Sequence, residues 1–220
     1  MISLLLAIIY IAFISLGLPD SLLGSAWPVM YKEMNAPLAY AGIISMIISG
    51  GTIISSLCSN RITRKLGTGL VTAISVFLTA SALFGFSISN SFIMLCIFAI
   101  PYGLGAGAVD AALNNYVALY YASKHMSWLH CFWGVGASIS PYIMGYAIGS
   151  GHGWRNGYSI VSVIQIFLTI FLFISLPLRK KNKYRDTGQR RLRGAIKAYR
   201  CFKNKRGYPG INCILFLLCF

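Results

Sequence analysis

Acidic side chains are almost missing: four in 220 positions, Asp20, Glu33, Asp110 and Asp186. Charged residues of both signs make up only 10% of the chain, where a soluble globular domain carries about 25%. A chain so poor in charge cannot cover itself with a water-facing surface. No two of the six cysteines (Cys58, Cys96, Cys131, Cys201, Cys213, Cys219) stand in a Cys-x-x-Cys pair, so neither a disulfide framework nor a metal site is read. His-Glu-x-x-His, Gly-x-Ser-x-Gly and a Walker loop are also lacking, which argues against an enzyme and leaves no cofactor to expect.

What the chain has instead is apolar length. Hydrophobic residues make up 57% of it, gathered in runs of the ~20 residues that an α-helix needs to cross a bilayer. Six spans are expected, at about Ile2–Pro28, Leu38–Ser59, Thr68–Ile88, Phe92–Ala122, Ser127–Gly149 and Tyr158–Leu178. The first lacks the basic leader of a signal peptide and is interrupted by Gly17, Pro19 and Asp20. The expected fold is an all-α membrane bundle, and the lipid bilayer is its first partner.

The net charge of +15 is concentrated in one place. Thirteen of the nineteen Lys and Arg lie between Arg179 and Arg206, whereas residues 1–178 hold six basic and three acidic residues, a net of +3. A basic segment following a membrane span reads as a cytoplasmic juxtamembrane region, not as a nucleic-acid interface. The loops after spans two, four and six hold Arg61, Arg64, Lys65, Lys124 and the start of that segment. The other loops hold Lys32, balanced by Glu33, and Arg155. The excess of Lys and Arg places the even loops and both termini in the cytoplasm, with the cell membrane, a bacterial inner membrane, as the expected location.

Asp20 and Asp110 lie within spans, where a charge is costly and marks a bundle interior or a water-filled cavity. Helical spacing puts Phe13, Gly17, Asp20, Gly24 and Trp27 on one face, Gly103, Gly107, Asp110 and Asn114 on a second, and His130, Gly134, Ala137 and Pro141 on a third. Ser162 and Gln165 make a weaker fourth. One reading is a cavity for a polar solute, with Asp20, Asp110, Asn114 and His130 as its polar groups. Trp27 and Trp133 would stack on the solute or anchor the helices at the interface. The other reading is helix packing, which suits Gly17, Gly24, Gly103, Gly105, Gly107 and Gly134, because small residues let helices approach closely. A buried carboxylate can also hold a proton at neutral pH, so proton coupling at Asp20 or Asp110 is an expectation.

Asn60, Arg61, Arg64 and Lys65 lie between spans two and three. Their charges alone would serve as topology determinants, but their arrangement resembles the Gly-x-x-x-Asp-Arg-x-Gly-Arg-Arg motif of the major facilitator superfamily. Here Ser56, Asn60 and Thr63 stand where that motif has Gly, Asp and Gly. Gly17–Pro28 (GLPDSLLGSAWP), Gly103–Asn115 (GLGAGAVDAALNN) and Leu129–Gly145 (LHCFWGVGASISPYIMG) resemble the sugar-permease-like branch, near fucose permeases. The resemblance implies that 1–178 is the N-terminal, six-span half of a twelve-span secondary transporter. It also implies a small solute, possibly a sugar, bound between halves, and a latch role for residues 60–65.

Residues 179–210 read as the basic cytoplasmic segment, and 211–220 as an apolar stub half a span long. Back-translated one base out of frame, Phe202–Phe220 can read as the opening of a further span. A truncated or frameshifted transporter is therefore expected. The alternatives are a half-transporter that pairs with itself or a second chain, and a membrane fragment that transports nothing.

Overall fold

The computed structural model describes residues 2–179, with side chains from 6 to 174. The expected basic segment beyond Arg179 and the stub 211–220 lie outside the described residues. Every described element is a helix: α1 (Ile2–Asp20), α2 (Leu22–Glu33), α3 (Tyr40–Leu66), α4 (Thr68–Ile88), α5 (Phe92–Tyr120), α6 (Ser123–Gly149) and α7 (Gly153–Arg179). The first expected span is α1 plus α2, broken at Ser21. It continues past Pro28 to Glu33, so the expected polar loop starts later than the sequence implied.

Among the described residues, five segments are long and apolar enough to cross a membrane: α1 with α2, α3, α4, α5 and α7. The fifth expected span, α6, reaches 27 residues, about 40 Å at 1.5 Å per residue. It falls short on composition, because serine, histidine, glycine and aromatic residues dilute its apolar ones.

Glycine and hydroxyl chemistry set the crossings. A Cβ at Gly103 would strike the Ile48 carbonyl, one at Gly107 the Thr52 carbonyl, and one at Gly51 would press on Gly103. The backbones of α3 and α5 are thus almost in contact. There Thr52 donates to the Gly103 carbonyl (3.3 Å), Ser55 to Leu104, Ser56 to Gly107 (3.2 Å) and Ser59 to Ala108 (3.3 Å). With no hydrophobic effect to drive association within lipid, close packing and such bonds hold helices together. Gly105 lies equally tight against Ser75 and Thr79 of α4.

The crossing of α1 with α6 has the same character. Gly17 abuts the Trp133 carbonyl, and Gly136 abuts the Ile14 carbonyl. Of the expected packing glycines, Gly17, Gly103 and Gly107 do lie at close approaches. Gly24 and Gly134 face open space. On α6 the tight position is Gly136, one small residue further along the same stretch.

Prolines inside helices free carbonyls, because proline has no N–H to donate to the residue four positions earlier. Pro19 frees Ser15, whose carbonyl receives the Gln165 side-chain amide, while the Ser15 hydroxyl donates to Gln165 Oε1 (2.8 Å). Pro141 frees Ala137, whose carbonyl receives the Ser21 hydroxyl. Gln165 and Ser162 are therefore interhelical braces: both are buried, and Ser162 donates to Ala80 on α4 (3.1 Å). They do not form a fourth face of the cavity.

Candidate functional site

A cavity of about 550 Å³ opens where α1 breaks into α2. Its wall includes Asp20, Leu23 and Gly24 from the break, Ser45 and Ser49 from α3, Phe86 from α4, Tyr102 from α5, Trp133 from α6 and Tyr158 from α7. All seven described helices thus contribute to one space, and among its described lining residues the one carboxylate is Asp20.

Asp20 is tightly held. Tyr102 donates its hydroxyl to Oδ1 (2.8 Å), and Trp133 donates its indole N–H to Oδ2 (2.8 Å). Helix α1 ends at Asp20, one residue past Pro19, and Asp20 lines this space. Each oxygen, engaged once, keeps a lone pair for a further donor. Tyr102 is buried and Trp133 is 40% exposed, so the indole offers a ring surface to whatever enters. The Tyr158 hydroxyl is enclosed and has no hydrogen-bond partner among the described residues. Its ring packs edge-on against Phe86 (5.5 Å between centroids) and Trp154 (6.0 Å).

The other expected site residues lie elsewhere. Trp27 is buried, and its indole N–H donates to the Leu38 carbonyl (2.8 Å). It ties α2 to the connection into α3 and does not reach the cavity. Asp110 and Asn114 pair one turn apart on α5, amide to carboxylate at 3.0 Å. They lie outside the cavity lining, eight residues from Tyr102 along α5, or about 12 Å. Both His130 and Asp20 fall within electrostatic range of Asp110. Neither Asp110 nor His130 is buried, and the His130 ring meets Phe13 edge-on (6.3 Å). Asp110, Asn114 and His130 form a second polar patch.

The stretch expected as a gating loop is not a loop. Helix α3 continues to Leu66 and stops at Gly67, whose φ of 83° suits glycine. Asn60, Arg61, Arg64 and Lys65 therefore sit exposed on its final turns, where cations complement the helix dipole. Ser56, at the motif's first glycine position, donates to Gly107.

Sequence reasoning missed Tyr102, Phe86, Tyr158, Ser45 and Ser49. Ser45 and Ser49 did leave a signal, two hydroxyls one turn apart on an apolar span. The aromatic residues left none, since aromatics are common throughout the chain.

Helices packed around a first span broken into α1 and α2, with polar groups turned inward, are the arrangement of a transporter half-bundle. The family model described as Major Facilitator Superfamily matches residues 9–220. The chain belongs to this superfamily. It is a multi-pass membrane protein, and the members of the superfamily are transporters, not enzymes. Over 179 residues it is 22% identical to the Bypass of stop codon protein 6 of Saccharomyces cerevisiae, covering 79% of this chain and 35% of that protein. Over 149 residues it is 23% identical to the Cis,cis-muconate transport protein of Acinetobacter baylyi, covering 66% of this chain and 36% of that protein. This superfamily member thus spans about a third of the curated relatives it matches.

Proposed function

We propose that this chain forms one wall of the solute pathway of a secondary-active transporter, and that the solute is small, neutral and rich in hydroxyl groups, a sugar being the class that fits best. The observation that carries this is the Asp20 carboxylate, fixed by Tyr102 and Trp133 at a cavity with four aromatic side chains and no cation among its described lining residues. Hydroxyl groups would donate to the free lone pairs of Asp20, while the apolar face of a sugar ring would lie on Trp133. A dicarboxylate such as muconate would meet Asp20 with nothing on this wall to pair with it, so the solute of that relative is not carried over.

Alternating access rocks one half-bundle against another around a shared site. The working transporter therefore comprises this bundle and a second one, from further sequence, another chain or a second copy. The even connections face the cytoplasm of a cell membrane, as the distribution of Lys and Arg implies. Asp20, or the patch of Asp110, Asn114 and His130, would carry a coupled proton; a transport rate that stays constant with pH overturns that part.

The test is an equilibrium titration of the purified chain in detergent with aldohexoses, read by tryptophan fluorescence. A saturable change whose affinity falls about tenfold or more in Asp20→Asn is expected. No saturable change with any aldohexose, or an equal change in Asp20→Asn, overturns the reading.

A further inference from the structure

Between residues 6 and 174 the helices hold prolines at 19, 28, 101 and 141, each of which frees the carbonyl four residues before it. Ser15 and Ala137 recover a donor from a side chain of a neighbouring helix. Pro101 frees Ile97, a residue 58% exposed and outside the cavity lining. Pro28 frees Gly24.

Gly24 differs from the other three because it lines the cavity. It has no side chain, and outside its own stretch of helix nothing lies within 4 Å of where a Cβ would be, so no other helix packs against it on that side. No side chain among the described residues donates to its carbonyl. The proline ring also crowds the carbonyl at this position and tilts it off the helix axis. Asp20 stands four residues earlier on the same wall. Across the cavity, Ser45 and Ser49 present hydroxyls that have no hydrogen-bond partner among the described residues.

We propose that Pro28 makes the Gly24 carbonyl a solute acceptor, four residues after Asp20, so that the site selects a solute with hydrogen-bond donors on two edges. This rests on the reading of the cavity as a solute site and names a specificity determinant within it. The two residues lie four apart in the chain, roughly 6 Å at helical rise, on either side of the break at Ser21. They therefore suit hydroxyls on different edges of one ring, and a solute with a single donor group engages only one of them.

Pro28→Ala is the decisive variant. It restores an N–H that covers the Gly24 carbonyl from within the helix, and it leaves the cavity-lining side chains in place. Because alanine favours a helix interior, the variant should fold with a thermal midpoint no lower than the parent. Methyl hexopyranosides and their monodeoxy analogues are the probes, titrated by tryptophan fluorescence. Pro28→Ala is expected to weaken the parent glycoside by roughly five- to tenfold, the worth of one hydrogen bond. It should also erase the discrimination against one deoxy analogue. Asp20→Asn should erase discrimination at a different hydroxyl, and Pro101→Ala should change neither affinity nor discrimination. Unchanged affinity in Pro28→Ala overturns the proposal. So does an equal weakening of every analogue with discrimination intact, which marks a reshaped helix and not a covered carbonyl. A parent chain that binds none of the glycosides overturns the reading beneath it.

Discussion

The backbone carbonyl of Trp133 rests against Gly17, three residues before the carboxylate that the indole of the same tryptophan holds. The closeness of α1 to α6 and the position of Asp20 are therefore one geometric fact. A glycine with no chemistry of its own sets the reach of the hydrogen bond that defines the cavity.

The contrast between Gly136 and Gly134 tests this crossing. A Cβ at Gly136 meets the Ile14 carbonyl, whereas one at Gly134 meets nothing. Gly136→Ala should destabilise the bundle by about 1–3 kcal/mol through overpacking. Gly134→Ala should stay within about 0.5 kcal/mol of the parent. Thermal unfolding in detergent separates the two, and equal effects would mean that α1 and α6 do not cross here.

Gln165 stands in for the donor that Pro19 removes. Gln165→Leu leaves the buried Ser15 carbonyl and hydroxyl unpaired and should cost about 1–3 kcal/mol. Adding Pro19→Ala gives the carbonyl a helical donor again, so the double variant should lose less than the sum of the singles. A double-mutant cycle measures that coupling, and strict additivity would refute it.

Tyr158 carries an enclosed hydroxyl with no partner. Tyr158→Phe keeps the packing against Phe86 and Trp154 and removes an unmet polar group. Its unfolding midpoint should equal or exceed that of the parent, by up to about 1 kcal/mol. A clear loss of stability would show that the hydroxyl is engaged after all.

Glu33 joins two kinds of partner at the far end of α2. It accepts from the buried Trp154 indole (2.8 Å) and pairs with Arg155 (2.8 Å), with both charged side chains about 40% exposed. Arg155 also reaches the Ser89 carbonyl and Asn90 (3.4 Å each), at the turn between α4 and α5. Arg155→Met should cost less than about 1 kcal/mol, and less still at high salt. Glu33→Ala should cost more and remain insensitive to salt, since it strands a buried N–H. Unfolding at two ionic strengths distinguishes them.

Helix number and order were largely legible, because apolar runs of span length have few alternatives. The limits of α4 at Thr68 and Ile88 were evident from the flanking glycine and serine. The ends of α2 and α3 were not, since polar and basic side chains on exposed final turns look like loop. Asp20 was legible as a polar group in a span. Its partners were not, because Tyr102 and Trp133 lie 82 and 113 residues away and nothing local marks them. Trp27 was misplaced for the same reason: helical spacing gives a face, but not which neighbour covers it.

The modest apolarity of α6 bears on how the molecule is made. A segment of its composition is a weak candidate for entering lipid unaided, and it follows the end of α1 by about a hundred residues of synthesis. By then α1 is in place, offering Gly17, the Ile14 carbonyl and the Ser21 hydroxyl as a ready seat. The first helix thus acts as an assembly template for the sixth. Damage to their shared groove would therefore show first as poor recovery of protein from the membrane, before any change in what the protein binds.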